Sequence, residues 1–216
     1  MQQRREFVFD LDGTLIDSSR CHEMAFLETL RSHRPELVQG FDYYRYRGLD
    51  TGSVFVDIGV ERASDRVFLT EAKQDHYFRQ VKAGHVYPIR GAKRLLDGLA
   101  SLGRRCFVVT GGSNRSSTAV LESTGLAKYF SGMVSGSEGL PGKPAPDLFL
   151  ACLCRFGLCK EDTVVIEDAA SGLESAQAAA LSVIIVNNPK LAGVPQYAGS
   201  LMNLWRALVC CDGSHD

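Results

Sequence analysis

The stretch Phe7-Val8-Phe9-Asp10-Leu11-Asp12-Gly13-Thr14-Leu15 constrains this chain more than any other. Phe7, Val8 and Phe9 make a short apolar, β-prone run that reads as a buried strand. Two carboxylates, Asp10 and Asp12, follow one residue apart, and Gly13 then lets the backbone turn sharply. Carboxylates at the end of a buried strand are costly unless a cation or hydrogen bonds compensate them. The pattern points to a metal and to chemistry, against the plainer reading of an acidic turn. It is not a calcium loop of the D-x-[DN]-x-[DN]-G type. Counted from Asp10, the fifth, sixth and twelfth positions are Thr14, Leu15 and Cys21, and the invariant glycine is missing.

With 216 residues the chain is long enough for one domain carrying an insertion, or for two small ones. A net charge of −1 argues against a general nucleic-acid binder and against a protein of anionic membrane surfaces. No apolar run approaches the ~20 residues of a spanning helix. Met1-Gln2-Gln3-Arg4-Arg5 leads into the strand without a signal-peptide segment, so the expected location is cytoplasmic. Seven cysteines in a chain of this size do not suggest a disulfide framework. Cys152 and Cys154 fall on different faces of a helical pattern, Cys210 and Cys211 are adjacent near the tail, and no Cys-x-x-Cys pair occurs. Reduced thiols, several filling the core, are expected.

Asp17-Ser18-Ser19 is a helix-start signal, and Met24, Leu27 and Leu30 recur at helical spacing in a helix over 20–33. Pro35 and Gly40 punctuate the chain before an aromatic and basic segment, Tyr43-Tyr44-Arg45-Tyr46-Arg47. Helical patterns follow over 52–58 and 70–81, and no run of strands appears between 18 and 84. From Tyr87-Pro88 onward helices alternate with short apolar strands, the signature of a parallel α/β sheet. The strands are Cys106–Val109, a short one at Met133-Val134, Val164–Ile166 and Val183–Val186. The helices cover 92–102, 114–124, 146–156, 171–180 and 200–209. The predicted architecture is an α/β core of residues 1–17 and 88–216 with an inserted α-helical cap of residues 18–87. An insert directly after the acidic strand hangs over that strand's carboxyl end, where open α/β sheets bind ligands.

Four strand exits and loops deliver polar groups to that edge: Asp10 and Asp12; Thr110 with Gly111 and Gly112; Lys143; and Glu167 with Asp168. Singly, Thr110-Gly111-Gly112 reads as an ordinary turn, Lys143 as a solvated loop lysine, and Glu167-Asp168 as carboxylates opening the next helix. Together they supply carboxylates for a hard cation, a hydroxyl and glycine N–H groups for a phosphate, and one positive charge. The chemistry that fits is phosphoryl transfer with Mg²⁺ as cofactor. Asp10 is suited to attack phosphorus and Asp12 to acid/base work, while Lys143, Thr110 and the Gly111 N–H hold phosphoryl oxygens.

The set resembles the four motifs of the haloacid dehalogenase-like superfamily: Asp10-Leu-Asp12-Gly-Thr, Val-Val-Thr110-Gly-Gly, Gly-Lys143-Pro-Ala-Pro-Asp, and Ile-Glu167-Asp168-Ala-Ala-Ser-Gly-Leu. The resemblance runs from about residue 6 to 190, and the branch it suggests holds phosphoglycolate phosphatases and β-phosphoglucomutases. It implies a Rossmann-like parallel sheet with a small helical cap and a small phosphate ester as substrate. Asp10 would be nucleophile and metal ligand. Asp12 would be acid/base and bind the metal through its carbonyl. Asp168 would be a ligand, and Glu167 a ligand or a partner through water. A monomer or homodimer is expected.

Departures from the family patterns discriminate between branches. Dehalogenases lack the second aspartate, present here as Asp12. Phosphonate hydrolases need a cap lysine, and Lys73 and Lys82 read as helix-surface residues. Mutases carry a cap arginine in a Gly-Val-Ser-Arg type stretch, where Arg47-Gly48-Leu49-Asp50-Thr51 places Thr51. His22 matches a histidine position in mutases, although a histidine near a helix start is more often surface. Arg45 and Arg47 read equally as a solvated face or as one arginine turned to the substrate beyond its phosphate. A receiver-type signalling domain combines similar residues but is shorter, lacks a cap and phosphorylates a middle strand. A silent binding protein is disfavoured because no motif residue is missing.

Overall fold

A computed structural model describes residues 6–210. The readings of Met1–Arg5, of the Cys211 thiol and of the tail lie outside these residues. The Phe7-Val8-Phe9 run forms β1 (Glu6–Phe9), followed by the two-residue β2 (Ile16–Asp17). Three helices come next: α1 (Ser19–His33), α2 (Thr51–Asp57) and α3 (Ala63–Lys82). After β3 (Tyr87–Pro88) the chain alternates: α4 (Ala92–Ser101), β4 (Cys106–Thr110), α5 (Asn114–Ser123), β5 (Phe130–Ser135) and α6 (Asp147–Phe156). It closes with β6 (Thr163–Glu167), α7 (Ala170–Ala178), β7 (Ser182–Val186), β8 (Tyr197–Gly199) and the short α8 (Leu201–Trp205).

Six strands form one parallel sheet in the order β5-β4-β1-β6-β7-β8. The first strand of the chain is thus central, buried on both faces, and alternate residues feed two cores. Phe7 and Phe9 pack with Leu95, Leu96, Val120 and Leu201 on one side. Val8 packs with Phe107, Val109, Leu148, Phe149 and Leu173 on the other. A strand covered on both faces needs a continuous apolar run rather than alternation, and that is how Phe7–Phe9 and Val164–Ile166 read. β5 is longer than Met133-Val134 alone: Ser131 and Gly132 break the apolar run, and the pairing with β4 continues past them with a shift of register at Ser131. The sixth strand, β8, carries Gly199 and no apolar run, so the sequence reading ends the sheet one strand early.

Helices α1, α2 and α3 lie between β2 and β3, which pair antiparallel as Ile16↔Pro88 and Asp17↔Tyr87. They enclose a third apolar cluster of Phe26, Leu30, Tyr43, Val54, Phe55, Val60 and Leu69. No strand occurs among the described residues between β2 and β3. Cys152 is buried and Cys154 exposed, as their opposite helix faces require, and Cys21, Cys106 and Cys159 are likewise free thiols.

Candidate active site

The sheet register builds the site. Phe9 lies level with Val108 on one neighbour and Ile166 on the other, so Asp10, Val109 and Glu167 come level one residue later. Lys143 Nζ donates to all three: 2.7 Å to Asp10 Oδ1, 3.1 Å to the Val109 carbonyl and 2.6 Å to Glu167 Oε1. The solvated-loop reading of Lys143 is therefore excluded. Burial disfavours its charge, but Asp10 and Glu167 outweigh burial and raise its pKa above the ordinary lysine value.

Oxygens of Asp10, Glu167 and Asp168 all lie within 4.8 Å of one another, and all three residues are buried. Burial raises Asp10 well above the usual carboxylate range; Lys143 opposes this, and Glu167 and Asp168 reinforce it. Asp168 is pushed up to about 7, by burial first and Glu167 next. Glu167 Oε2 accepts the backbone N–H groups of Asp168 and Ala169 at 2.8 and 2.9 Å, which commits one of its oxygens to the start of α7. Asp168 Oδ1 accepts from the Thr14 hydroxyl at 3.2 Å. Asp10 Oδ2 receives no hydrogen bond among the described residues. A cluster of hard oxygen donors, two of them made protonation-prone by burial beside other carboxylates, fits a small divalent cation such as Mg²⁺.

Two glycines are imposed by this crowding. Gly13 has φ +91°, and a Cβ there would overlap the Asp168 carboxylate. A Cβ on Gly172 would overlap the Glu167 carboxylate, so only glycine lets α7 pack against it.

At the exit of β4, the Thr110 hydroxyl accepts the Gly112 N–H at 3.0 Å, and the Gly112 carbonyl accepts from Gly136 N–H at 2.9 Å. The Thr110–Gly112 loop thus sits at the same edge as Asp10. The Asp12 carboxylate is not part of the acidic cluster. It faces the helical insert, where Oδ1 accepts from Ser18 Oγ at 2.5 Å and Tyr77 Oη at 3.2 Å. His22 Nε2 stands 3.5 Å from the same oxygen. Burial would raise Asp12, but His22, Ser18 and Tyr77 together bring it down to about 2.

The insert also corrects two readings. Lys73 is not a surface residue: it is 4% exposed, with Nζ 2.8 Å from His22 Nδ1 and 3.5 Å from Thr51 Oγ1. Leu69, Lys73, Tyr77 and Val81 recur every four residues on the buried face of α3, and that stripe is the signal by which the sequence places Lys73 inward. Burial lowers Lys73 to about 8 while Asp12 opposes. His22 likewise is no surface histidine, because it lies stacked between Tyr77 and Tyr43. An ammonium is donor only, so His22 Nδ1 accepts from Lys73 and Nε2 carries the proton toward Asp12. Lys82 is exposed, as expected.

Arg47 places Nη2 3.3 Å from Asp168 Oδ2 and is the arginine of its segment that faces the site; Arg45 is exposed. Two residues that the sequence reading passed over brace the edge from β7. Asn187, at φ +60°, donates Nδ2 to the carbonyls of Gly13 and Thr14 at 3.1 and 2.9 Å. Asn188 Nδ2 donates to the Asp168 carbonyl at 2.7 Å. The asparagine pair directly after an apolar strand is the available signal, since Asn tolerates the left-handed conformation.

A parallel sheet whose carboxyl edge holds clustered carboxylates and a buried lysine, beneath a helical insert, defines a Rossmann-like α/β enzyme core. More narrowly, the chain belongs to the haloacid dehalogenase-like hydrolases, whose family model matches residues 7–186. Hexitol phosphatase A of Escherichia coli strain K12 is 32% identical over 193 residues, covering 85% of this chain and 83% of that protein. Beta-phosphoglucomutase of Mycobacterium tuberculosis is 25% identical over 211 residues, covering 84% and 80%. The crystal structure of CbbY from Rhodobacter sphaeroides in complex with phosphate superposes with a TM-score of 0.76 at 21% identity, covering 93% of this chain and 96% of that one.

Gly13→Ala tests how tightly this edge is built. A left-handed non-glycine residue costs about 1–2 kcal/mol, which for a chain of this size lowers Tm by about 2–8 °C, before any displacement of Asp168. Gly193→Ala, where a Cβ meets nothing within 4 Å, should leave Tm unchanged or slightly raised. Differential scanning fluorimetry of both variants checks the contrast.

Proposed function

We propose that this chain is a Mg²⁺-dependent phosphatase that hydrolyses a small phosphorylated metabolite of the phosphoglycolate or sugar-phosphate type. The observation that carries the reading is the state of Asp10: Lys143 pins Oδ1, while Oδ2 is left open at the carboxyl edge of the sheet. Asp10 Oδ2 attacks phosphorus as the ester P–O bond breaks, giving an aspartyl-phosphate. Asp12 gives a proton to the leaving oxygen, then takes one from the water that opens the intermediate. The Lys143 ammonium, the Thr110 hydroxyl and the Gly111 N–H bind phosphoryl oxygens as charge redistributes. Asp10 and Asp168, with Glu167 and the Asp12 carbonyl, would hold Mg²⁺, which when bound offsets repulsion between the anionic phosphate and the carboxylates. Residues 18–87 serve as the cap over this edge.

Thr51, standing where mutases carry their cap arginine, favours hydrolysis over isomerisation. The likeness to hexitol phosphatase A supports the same direction. We read the enzyme as cytoplasmic, with neither nucleic acid nor membrane as partner. No helix among the described residues is long and apolar enough to cross a membrane.

Three tests follow from these roles. Mg²⁺ at a hundred times its Kd should stabilise the fold by about 2.7 kcal/mol, read as a rise in Tm that EDTA reverses. p-Nitrophenyl phosphate hydrolysis should vanish and return with the same additions, and full activity in excess EDTA would remove the metal from the mechanism.

Asp10→Asn should abolish turnover, because an amide cannot form the acyl phosphate; a variant that keeps a tenth of the wild-type rate would exclude the covalent route. Arg47→Ala should lower kcat/KM for the physiological substrate by about 10- to 150-fold, the scale of a charged hydrogen bond. It should leave p-nitrophenyl phosphate nearly unaffected, since that ester offers the guanidinium nothing beyond its phosphate. Equal losses on both would mean a damaged cap.

A further inference from the structure

The donors around Asp12 are divided unevenly between its two oxygens. Ser18 Oγ, Tyr77 Oη and His22 Nε2 all converge on Oδ1, at 2.5, 3.2 and 3.5 Å. Oδ2 receives no hydrogen bond among the described residues and points toward the Thr110–Gly112 loop, 3.8 Å from where a Gly112 Cβ would stand. One oxygen is therefore fixed from the side of the insert, and the other is presented to the reaction edge.

We propose that Tyr77 is a positioning residue for Asp12: its phenol pins Oδ1 so that Oδ2 faces the reaction edge, in line with the leaving oxygen. The inference rests on the acid/base role given to Asp12 above. Tyr77 is built for this task. It is 5% exposed on the buried stripe of α3, and its ring lies flat on His22, with centroids 4.1 Å apart and planes inclined by 8°. It belongs to the apolar cluster that contains Phe7, Phe9, Leu15 and Ile16, so its phenol is fixed relative to the residues that flank Asp12 on either side. Ser18 supplies a second donor to Oδ1, and a carboxylate held at one oxygen by two donors has lost its freedom to rotate. Proton transfer needs that alignment, because a small misplacement of a catalytic group costs large factors in rate.

The test reads the leaving group. A p-nitrophenolate departs without a proton, whereas the alkoxide of an alkyl phosphate needs one from Asp12 Oδ2. Steady-state kcat/KM isolates the step in which the ester bond breaks. Tyr77→Phe, which keeps the ring on His22, should lower kcat/KM for glycerol 2-phosphate by about 10-fold or more. It should leave p-nitrophenyl phosphate within about twofold and Tm nearly unchanged.

Asp12→Asn, run alongside, should show the same leaving-group contrast more strongly. If Asp12→Asn shows the contrast and Tyr77→Phe does not, the Tyr77 proposal falls alone. If Asp12→Asn shows no contrast, the acid role of Asp12 fails and takes the Tyr77 role with it. Equal losses on both esters, or an early-melting Tyr77→Phe chain, would make Tyr77 a packing residue and overturn the proposal.

Discussion

The structure depends on one ammonium, that of Lys143, placed where three adjacent strands end. Asp10 and Glu167 are brought level by the parallel register whether or not their charges suit each other. Two carboxylates side by side in a buried edge repel, and each has given up solvation worth several kcal/mol. Lys143 bonds both, and the Val109 carbonyl, on the strand that flanks Asp10 on its other side, takes its third N–H. Only part of the charge is balanced, however. Asp168 adds a third carboxylate, whose pKa is lifted to about 7 with Arg47 and Thr14 opposing the rise. A carboxylate raised in this way stabilises the fold when protonated, below its unfolded pKa, and loses that contribution as pH rises through about 7. Three buried carboxylates facing one ammonium leave this edge short of positive charge, an arrangement that fits a cation.

Across the cleft the charges run in a chain rather than a cluster. Lys73 is buried against the rings of Phe26 and Tyr77, 4.8 and 5.3 Å from their centroids, and its nearest polar partner is His22. His22 is held neutral by burial and by Lys73, so it relays a hydrogen bond toward Asp12 instead of a second positive charge. Lys73 and Asp12 are thus linked through one imidazole. Ser18 shows the same economy. It stands at the start of α1, where a serine usually caps the helix, yet its hydroxyl makes no cap and goes to Asp12 instead.

What the sequence shows and what it hides follow from the range of the forces involved. Phe7–Phe9 and Val164–Ile166 are legible because a doubly covered strand must be apolar throughout. Asp10, Lys143, Glu167 and Asp168 are legible because carboxylates and a lysine beside apolar runs, Gly and Pro are locally unusual. β2, β3 and β8 are not, since strands of two or three residues are made by the chain's return rather than by their own composition. Lys73 is hidden in a polar window, Glu71-Ala72-Lys73-Gln74-Asp75, and is placed by the four-residue stripe around it rather than by its type. Asn187 and Asn188 act on residues more than 170 and about 20 positions away, respectively, a relation no local pattern carries.

The two ends of the insert are attached to the core by different physics. At the hinge, Cys21 and Ala25 of α1 and Tyr77 and Val81 of α3 join the same apolar cluster as Phe7 and Phe9. Separating them exposes buried side chains, each worth roughly 1.5–3 kcal/mol when large. Away from the hinge the contacts are polar and wet. Arg47 on Asp168 is nearly half exposed, and Arg115 on Asp75 joins side chains 63% and 62% exposed, a geometry worth at most about 1 kcal/mol. Ser171 Oγ reaches the Gly48 carbonyl only at 3.5 Å. With its own apolar cluster holding it together, the insert joins the core chiefly through the apolar bases of α1 and α3. Arg47 meets Asp168 at the polar contact, and Tyr77 and His22 stand beside Asp12 at the apolar one. The Asp12 carboxylate is thus held from the apolar, closely packed side of the insert, and Asp168 is met from its polar, exposed side.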